Sequence, residues 1–223
     1  MAETEFRDRL YRQAAEQLAA IDGDWARLVA AVGPCTHEPR PAREPYEALV
    51  RAVAYQQLNT RAADRIVARF LDLYPGCEFP APEQLLATGF DQLRACGFSA
   101  RKIETIQGLA QGRLAGLVPD RDEADAMEDE ALIARLVSLR GIGRWTVEML
   151  LIYTLARMDV MPADDFGVRE GYRHLKSLAA LPGRREMAEA ALPLRPYRTI
   201  AAWYLWRVST LPDYTRRSRV VPG

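Results

Sequence analysis

Apolar residues recur at helical spacing along almost the whole chain, and strict alternation over a strand length is absent, so the chain is constrained to an all-α fold. The pattern predicts helices at about 5–21, 24–32, 45–58, 60–74, 82–88, 90–95, 99–115, 128–139, 143–157, 164–178, 184–191 and 196–210. Proline and glycine punctuate it at Gly33-Pro34, Pro39 to Pro45, Pro75-Gly76, Pro80 to Pro82, Gly97, Pro119, Pro162, Pro182-Gly183, Pro193 and Pro196. Short connections between short helices imply a compact bundle. The stretch from Cys35 to Glu44, rich in proline and charge, is the expected linker, and no internal repeat or low-complexity tract is visible.

At 223 residues, 49% hydrophobic and 27% charged, the chain can bury a sizeable core. No apolar run reaches the ~20 residues that span a bilayer, and the start MAETEFRDRL is acidic where a secretory signal would be basic, so the expected location is cytoplasmic. Cys35, Cys77 and Cys96 are too few and too scattered for a disulfide framework or a four-cysteine metal site, and are expected reduced and mostly buried. Basic and acidic residues balance at 30 each. Nearly all the basic charge is arginine, with lysine only at Lys102 and Lys176, and Tyr214 to Arg219 forms a basic cluster. That bias suits phosphate contacts and equally suits genome composition.

The stretch SLRGIGRWTVEM, from Ser138 to Met149, carries a Gly-Ile-Gly turn running into a helix. A dinucleotide-binding reading fails, because the preceding segment is helical in pattern and no third glycine follows Gly143. Two readings remain. One is a glycine C-cap followed by an ordinary helix start. The other is a hairpin whose backbone N–H groups receive an anion such as a DNA phosphate, with Arg140 and Arg144 adding contacts.

LRGIGRWTVEMLLIY followed by PADDFGVREGY resembles the helix-hairpin-helix and downstream Gly/Pro-Asp element of the base-excision DNA glycosylases. PYEALVRAVAYQQLNTRAADRI and PYRTIAAWYLWRV are similar to the early helix-turn-helix and the C-terminal helix of the DNA-3-methyladenine glycosylases of the AlkA and Mag type, so the resemblance spans about residues 43–210. It implies a compact, two-lobed helical bundle lacking the family's optional N-terminal β-domain, with an active-site cleft between the lobes. The expected lobes are 45–160, containing the hairpin, and 1–44 with 161–223, carrying the catalytic aspartate. Arg140 stands where the family usually has proline before the first hairpin glycine.

Asp164 and Asp165 open a helix, where either carboxylate can cap the first turn. A carboxylate so placed can also stabilise positive charge on a deoxyribose C1′ or orient the attacking water. The resemblance makes Asp165 the catalytic residue and Asp164 the helper or cap. No second acid is indicated, which suits a methylated purine that already carries positive charge. For such a flat cation the candidate base pocket is Trp145, Trp206, Phe166, Tyr55 and Met149, although Trp203 and Trp206 share a helix face that is as consistent with core.

By the same resemblance Gln57, with Leu58 beside it, is the wedge that fills the gap left by the flipped base. Gly141, Ile142, Gly143, Arg144 and Thr146 form the phosphate-binding set. Lyase-type relatives use a hairpin lysine at the position of Trp145; its absence predicts glycosidic cleavage without strand cleavage. The expected substrate is double-stranded DNA with alkylated bases of the 3-methyladenine or 7-methylguanine type, attacked by a monomer near the nucleoid. No cofactor or catalytic metal is expected, beyond a structural monovalent cation at the hairpin carbonyls. The alternative is a non-enzymatic helix-hairpin-helix DNA-binding protein. A metal site at Cys35, His37 and Glu38 lacks a second ligand pair.

Overall fold

The computed structural model describes residues 2–212 and 214, with side chains from residue 5 onward. Of the basic cluster, only Tyr214 lies within the described residues, among which all regular structure is helical. The chain divides into two compact units, residues 39–156 and residues 1–38 with 157–223.

The continuous unit contains α3 (Pro45–Tyr55), α4 (Thr60–Leu71), α5 (Pro82–Ala87), α6 (Phe90–Cys96), α7 (Ala100–Leu114), α8 (Arg121–Ala126), α9 (Asp129–Leu136) and α10 (Arg144–Tyr153). Helix α7 is its spine, buried along Ile103, Ile106 and Leu109, and it packs on α3, α5 and α6. Phe70 of α4 meets Tyr74 and Phe98 edge-on, with ring centroids 5.3 and 5.6 Å apart, an arrangement that suits the aromatic quadrupoles. Helix α8 was not expected from the sequence. Its residues RDEADA carry no apolar stripe, and it is held by the Asp120 cap on Glu123 N and by Arg121, which donates to the carbonyls of Pro41 and Thr154.

The discontinuous unit contains α1 (Ala2–Ala19), α2 (Gly23–Val32), α11 (Phe166–Leu175), α12 (Arg184–Ala190) and α13 (Arg198–Arg207). Helix α13 is apolar nearly all round and takes the central place, packed by α1, α2 and α11, which explains why its pattern reads as core on every face. Trp203 belongs to that core, with the Arg207 guanidinium 3.3 Å from its ring centroid.

The stretch Cys35–Glu44 contains the boundary between the two units, as expected of a linker, and it is packed: His37 is buried, the Arg40 N–H donates to the Tyr153 carbonyl, and burial pushes the Cys35 thiol up to about 11. One expectation needs correction, that of mostly buried cysteines. Cys96 is buried and Cys35 half-buried, whereas Cys77 is exposed just after the Pro75-Gly76 break.

Candidate active site

Helix α3 ends at Tyr55, one turn earlier than the sequence suggests, because Gln57 takes a left-handed backbone conformation (φ 58°) that a helix cannot continue through. The left-handed conformation costs an ordinary residue about 1–2 kcal/mol. Surrounding contacts must therefore impose it. Gln56 is half-buried and its carboxamide nitrogen reaches the Gly141 carbonyl at 3.3 Å and the Thr146 hydroxyl at 3.4 Å, both long contacts. The Lys102 ammonium of α7 donates at 2.8 Å to each of the carbonyls of Ala54 and Gln56. Burial pulls its pKa below the ordinary lysine value. Gln57 and Leu58 are left exposed at the tip.

The hairpin joins α9 to α10. Gly141 has φ 85°, and a Cβ there would stand 2.3 Å from the Thr105 hydroxyl of α7, so both the turn and the close approach require glycine. Gly143 differs: it caps α10 with φ −94°, and a Cβ would meet nothing within 4 Å. Its outward side is open. The N–H groups of the first turn of α10 begin here, which is the geometry of an anion site.

The side chains of the expected phosphate set differ in their surroundings. The Ile142 side chain is buried and anchors the hairpin. Thr146 is 3% exposed, its hydroxyl faces Gln56, and its N–H donates to the Gly143 carbonyl. Arg144 is held by Glu148 at 2.9 Å and by both carboxylate oxygens of Glu130, and these bonds, Glu130 first, raise its pKa further. Arg140, preceding the hairpin, is 85% exposed and stands 3.3 Å from Glu104. The Leu139 and Gly141 carbonyls each accept one hydrogen bond, from Ile142 N and the Gln56 carboxamide, and keep a second lone pair, whereas the Gly143 carbonyl already accepts from both Thr146 N and Val147 N.

Trp145 follows at the second position of α10, 40% exposed, with Met149 half-buried one turn on. Tyr55, at the end of α3, donates its phenol to Asp64; burial first, then that bond, raises its pKa. These residues belong to the continuous unit.

In the discontinuous unit the segment before α11 is pinned by Thr199 of α13, whose hydroxyl donates to the Arg157 carbonyl at 2.6 Å and accepts from Val160 N at 3.1 Å. Asp165 caps α11: its Oδ1 accepts from Val168 N at 2.8 Å and from the indole Nε1 of Trp206 at 2.7 Å. The capping role expected of Asp164 thus falls to Asp165 itself. Asp164 is exposed and 3.5 Å from Arg169. Phe166, the next residue, is 43% exposed.

What brings Trp206 to the aspartate is a pair of glycines one turn apart on α11. A Cβ on Gly171 would lie 2.2 Å from the Leu205 carbonyl oxygen, and one on Gly167 would lie 2.8 Å from Trp206 Cδ1. The sequence carries this signal in FGVREG, as two glycines at helical spacing. Further along α11 Glu170 and Arg173 form a buried ion pair at 2.7 Å, completed by the Tyr214 phenol.

Comparison with known proteins agrees with this geometry. The HhH-GPD superfamily of base excision DNA repair proteins matches residues 50–196. The DNA-3-methyladenine glycosylase 1 of Schizosaccharomyces pombe is 46% identical over 91% of this chain and 89% of its own length. The alkylbase DNA glycosidase-like protein mag2 of the same yeast is 38% identical over 92% of this chain and 97% of its own. The fission-yeast 3-methyladenine DNA glycosylase in complex with abasic DNA superposes with a TM-score of 0.84, covering 92% of this chain and all of that one, 100%. A DNA-3-methyladenine glycosidase from Bacillus halodurans, 30% identical, gives 0.77 over 88% and 89%. With a glycine hairpin, a helix-capping aspartate and a match of this extent, the chain belongs to the HhH-GPD superfamily of base excision DNA repair proteins.

Proposed function

We propose that this protein is a DNA-3-methyladenine glycosylase of base excision repair, which removes alkylated purines from double-stranded DNA by hydrolysis and leaves an abasic site. The carrying observation is the Asp165 carboxylate, fixed through Oδ1 by the α11 backbone and the Trp206 indole. Negative charge held by preorganised donors needs no rearrangement as positive charge grows on C1′. The bond from C1′ to the base nitrogen breaks, and the base leaves with the electron pair. A water oxygen adds to C1′, its proton passing to Asp165 or to solvent. A base alkylated at N3 or N7 carries its own positive charge and leaves without a separate acid.

Arrest at the abasic site is supported by the lysines. Lys102 is engaged by two carbonyls and Lys176 by Asp22 and Asp24, at 2.6 and 2.9 Å, so neither is a ready amine for a Schiff base. In this reading the hairpin backbone grips phosphate, Gln57 and Leu58 enter the stack, and Trp145 offers a ring face to the cationic base. The protein acts as a monomer in the DNA-bearing compartment. Among the described residues no helix is long and apolar enough to cross a membrane.

The test is release of 3-methyladenine, 7-methylguanine, 1-methyladenine, ethenoadenine and hypoxanthine from defined duplexes by wild type and Asp165→Asn. Release of methylated purines by wild type alone supports the reading. Binding without release by wild type would instead identify a non-enzymatic DNA-binding protein, and borohydride trapping of a covalent complex would refute arrest at the abasic site.

A further inference from the structure

Helix α3 ends with carbonyls that its own backbone does not satisfy. The Leu58 N–H, which would bond Ala54 in a continued helix, turns to the Tyr55 carbonyl. The carbonyls of Ala54 and Gln56 both accept from the Lys102 ammonium instead. A cation at the negative end of the helix dipole stabilises this termination, and the next residue, Gln57, swings into the left-handed region. One turn along α7 from Lys102 stands Thr105, against which Gly141 of the hairpin is seated. Gln56 spans the same gap from the other side, through its contacts to the Gly141 carbonyl and the Thr146 hydroxyl. The exposed tip and the hairpin are therefore registered against one face of α7.

We propose that Lys102 is a positioning residue for the DNA-inserting turn, its ammonium clamping the carbonyl end of α3 so that Gln57 and Leu58 are presented in fixed register with the phosphate-gripping hairpin. The proposal rests on the wedge role given to Gln57 above. An ammonium suits the task because its tetrahedral donors can reach two carbonyls at once on a flexible stem. Replacing it with an apolar side chain leaves two carbonyls to water and frees the turn.

The experiment compares wild type, Lys102→Met, Lys102→Arg, Gln57→Ala and the double variant Lys102→Met/Gln57→Ala. Each is titrated against a duplex carrying a tetrahydrofuran abasic-site analogue and against the undamaged duplex, with thermal unfolding recorded. Lys102→Met is expected to lose roughly tenfold of the preference for the abasic duplex, with undamaged-duplex affinity within about twofold of wild type, because the hairpin seat on Thr105 is untouched. Lys102→Arg is expected to recover part of the loss. In the Gln57→Ala background Lys102→Met should add nothing, since the clamp then has no wedge to fix. Hydrogen exchange of the peptide covering residues 55–60, measured without DNA, should quicken in Lys102→Met while the peptide covering α7 does not.

Equal loss on both duplexes, full multiplicative loss in the double variant, or unchanged exchange in the turn overturns the clamp. If wild type prefers the abasic duplex and releases methylated bases but Lys102→Met matches it, the clamp alone is wrong. If wild type does neither, the glycosylase reading falls and takes the clamp with it.

Discussion

The Trp206 indole donates to Asp165 Oδ1 at 2.7 Å, and the same oxygen accepts from Val168 N at 2.8 Å. The tryptophan expected to stack on a base is thus bonded to the carboxylate proposed to act on the sugar. Asp165→Asn should abolish excision, with a loss of at least about a hundredfold, because a neutral amide cannot stabilise the sugar cation. Its unfolding temperature should stay near wild type, since asparagine caps a helix about as well as aspartate. Single-turnover base release and thermal melts check both halves.

Trp206→Phe keeps an aromatic ring and removes the indole donor. A hydrogen bond to a charged group contributes about 1.5–3 kcal/mol, so excision should fall by roughly ten- to a hundredfold with little change in affinity for abasic DNA. Combined with Asp165→Asn it should cost almost nothing more, because the two act through one group. Additive losses in single-turnover rates would show that Trp206 contributes through the base rather than through Asp165.

The two hairpin glycines should separate stability from binding. Gly141→Ala forces an alanine to φ 85° and drives its Cβ to 2.3 Å from the Thr105 hydroxyl, so the melting temperature should drop and DNA binding with it. Thr105→Ala should rescue part of that loss. Gly143→Ala meets nothing within 4 Å inside the protein, so its stability should change by less than about 1 kcal/mol while binding to any duplex weakens. Melts and titrations on the same samples decide it.

Gly171→Ala should be the most destabilising of the glycine changes in the discontinuous unit. Its Cβ would sit 2.2 Å from the Leu205 carbonyl oxygen, which is backbone and cannot swing aside. Overpacking of this kind costs about 1–3 kcal/mol or more. Because α13 also carries Trp206, excision by the folded fraction should fall as well, measurable by active-site titration alongside a denaturant curve.

Glu170 gives a pH dependence of known sign. Its hydrogen bonds from Arg173 hold its carboxyl below the ordinary 4.5, so the pair's contribution to stability is present above that value and is lost as pH falls through the lower folded value. Glu170→Gln strands the Arg173 charge in a buried place and should be less stable at neutral pH. Its melting temperature should also fall less steeply than wild type below about pH 4.5. A variant whose acid slope matches wild type would remove Glu170 from the acid response.

Much of the architecture was legible because helical periodicity and Pro/Gly punctuation are local properties of the chain. The hairpin and the Asp165 helix start could be located for the same reason: a Gly-x-Gly turn and a capping carboxylate act within one turn of backbone. Helix α8 escaped because its six residues RDEADA have no apolar stripe, and what orders them is Arg121 reaching Pro41 and Thr154. The end of α3 escaped because the ammonium that bonds its last carbonyls, that of Lys102, lies on α7.

Side-chain roles divided along the same line. Sequence alone determined the helical class, the helices that carry an apolar stripe and which residue types could carry the chemistry. Only tertiary packing decided that Thr146 and Ile142 turn inward, that Arg144 is occupied by carboxylates, and that Asp165 rather than Asp164 caps α11 with Trp206 on the same oxygen. A hydrogen-bond partner or a close backbone approach depends on which distant segments share a volume, and spacing along one helix carries no record of that.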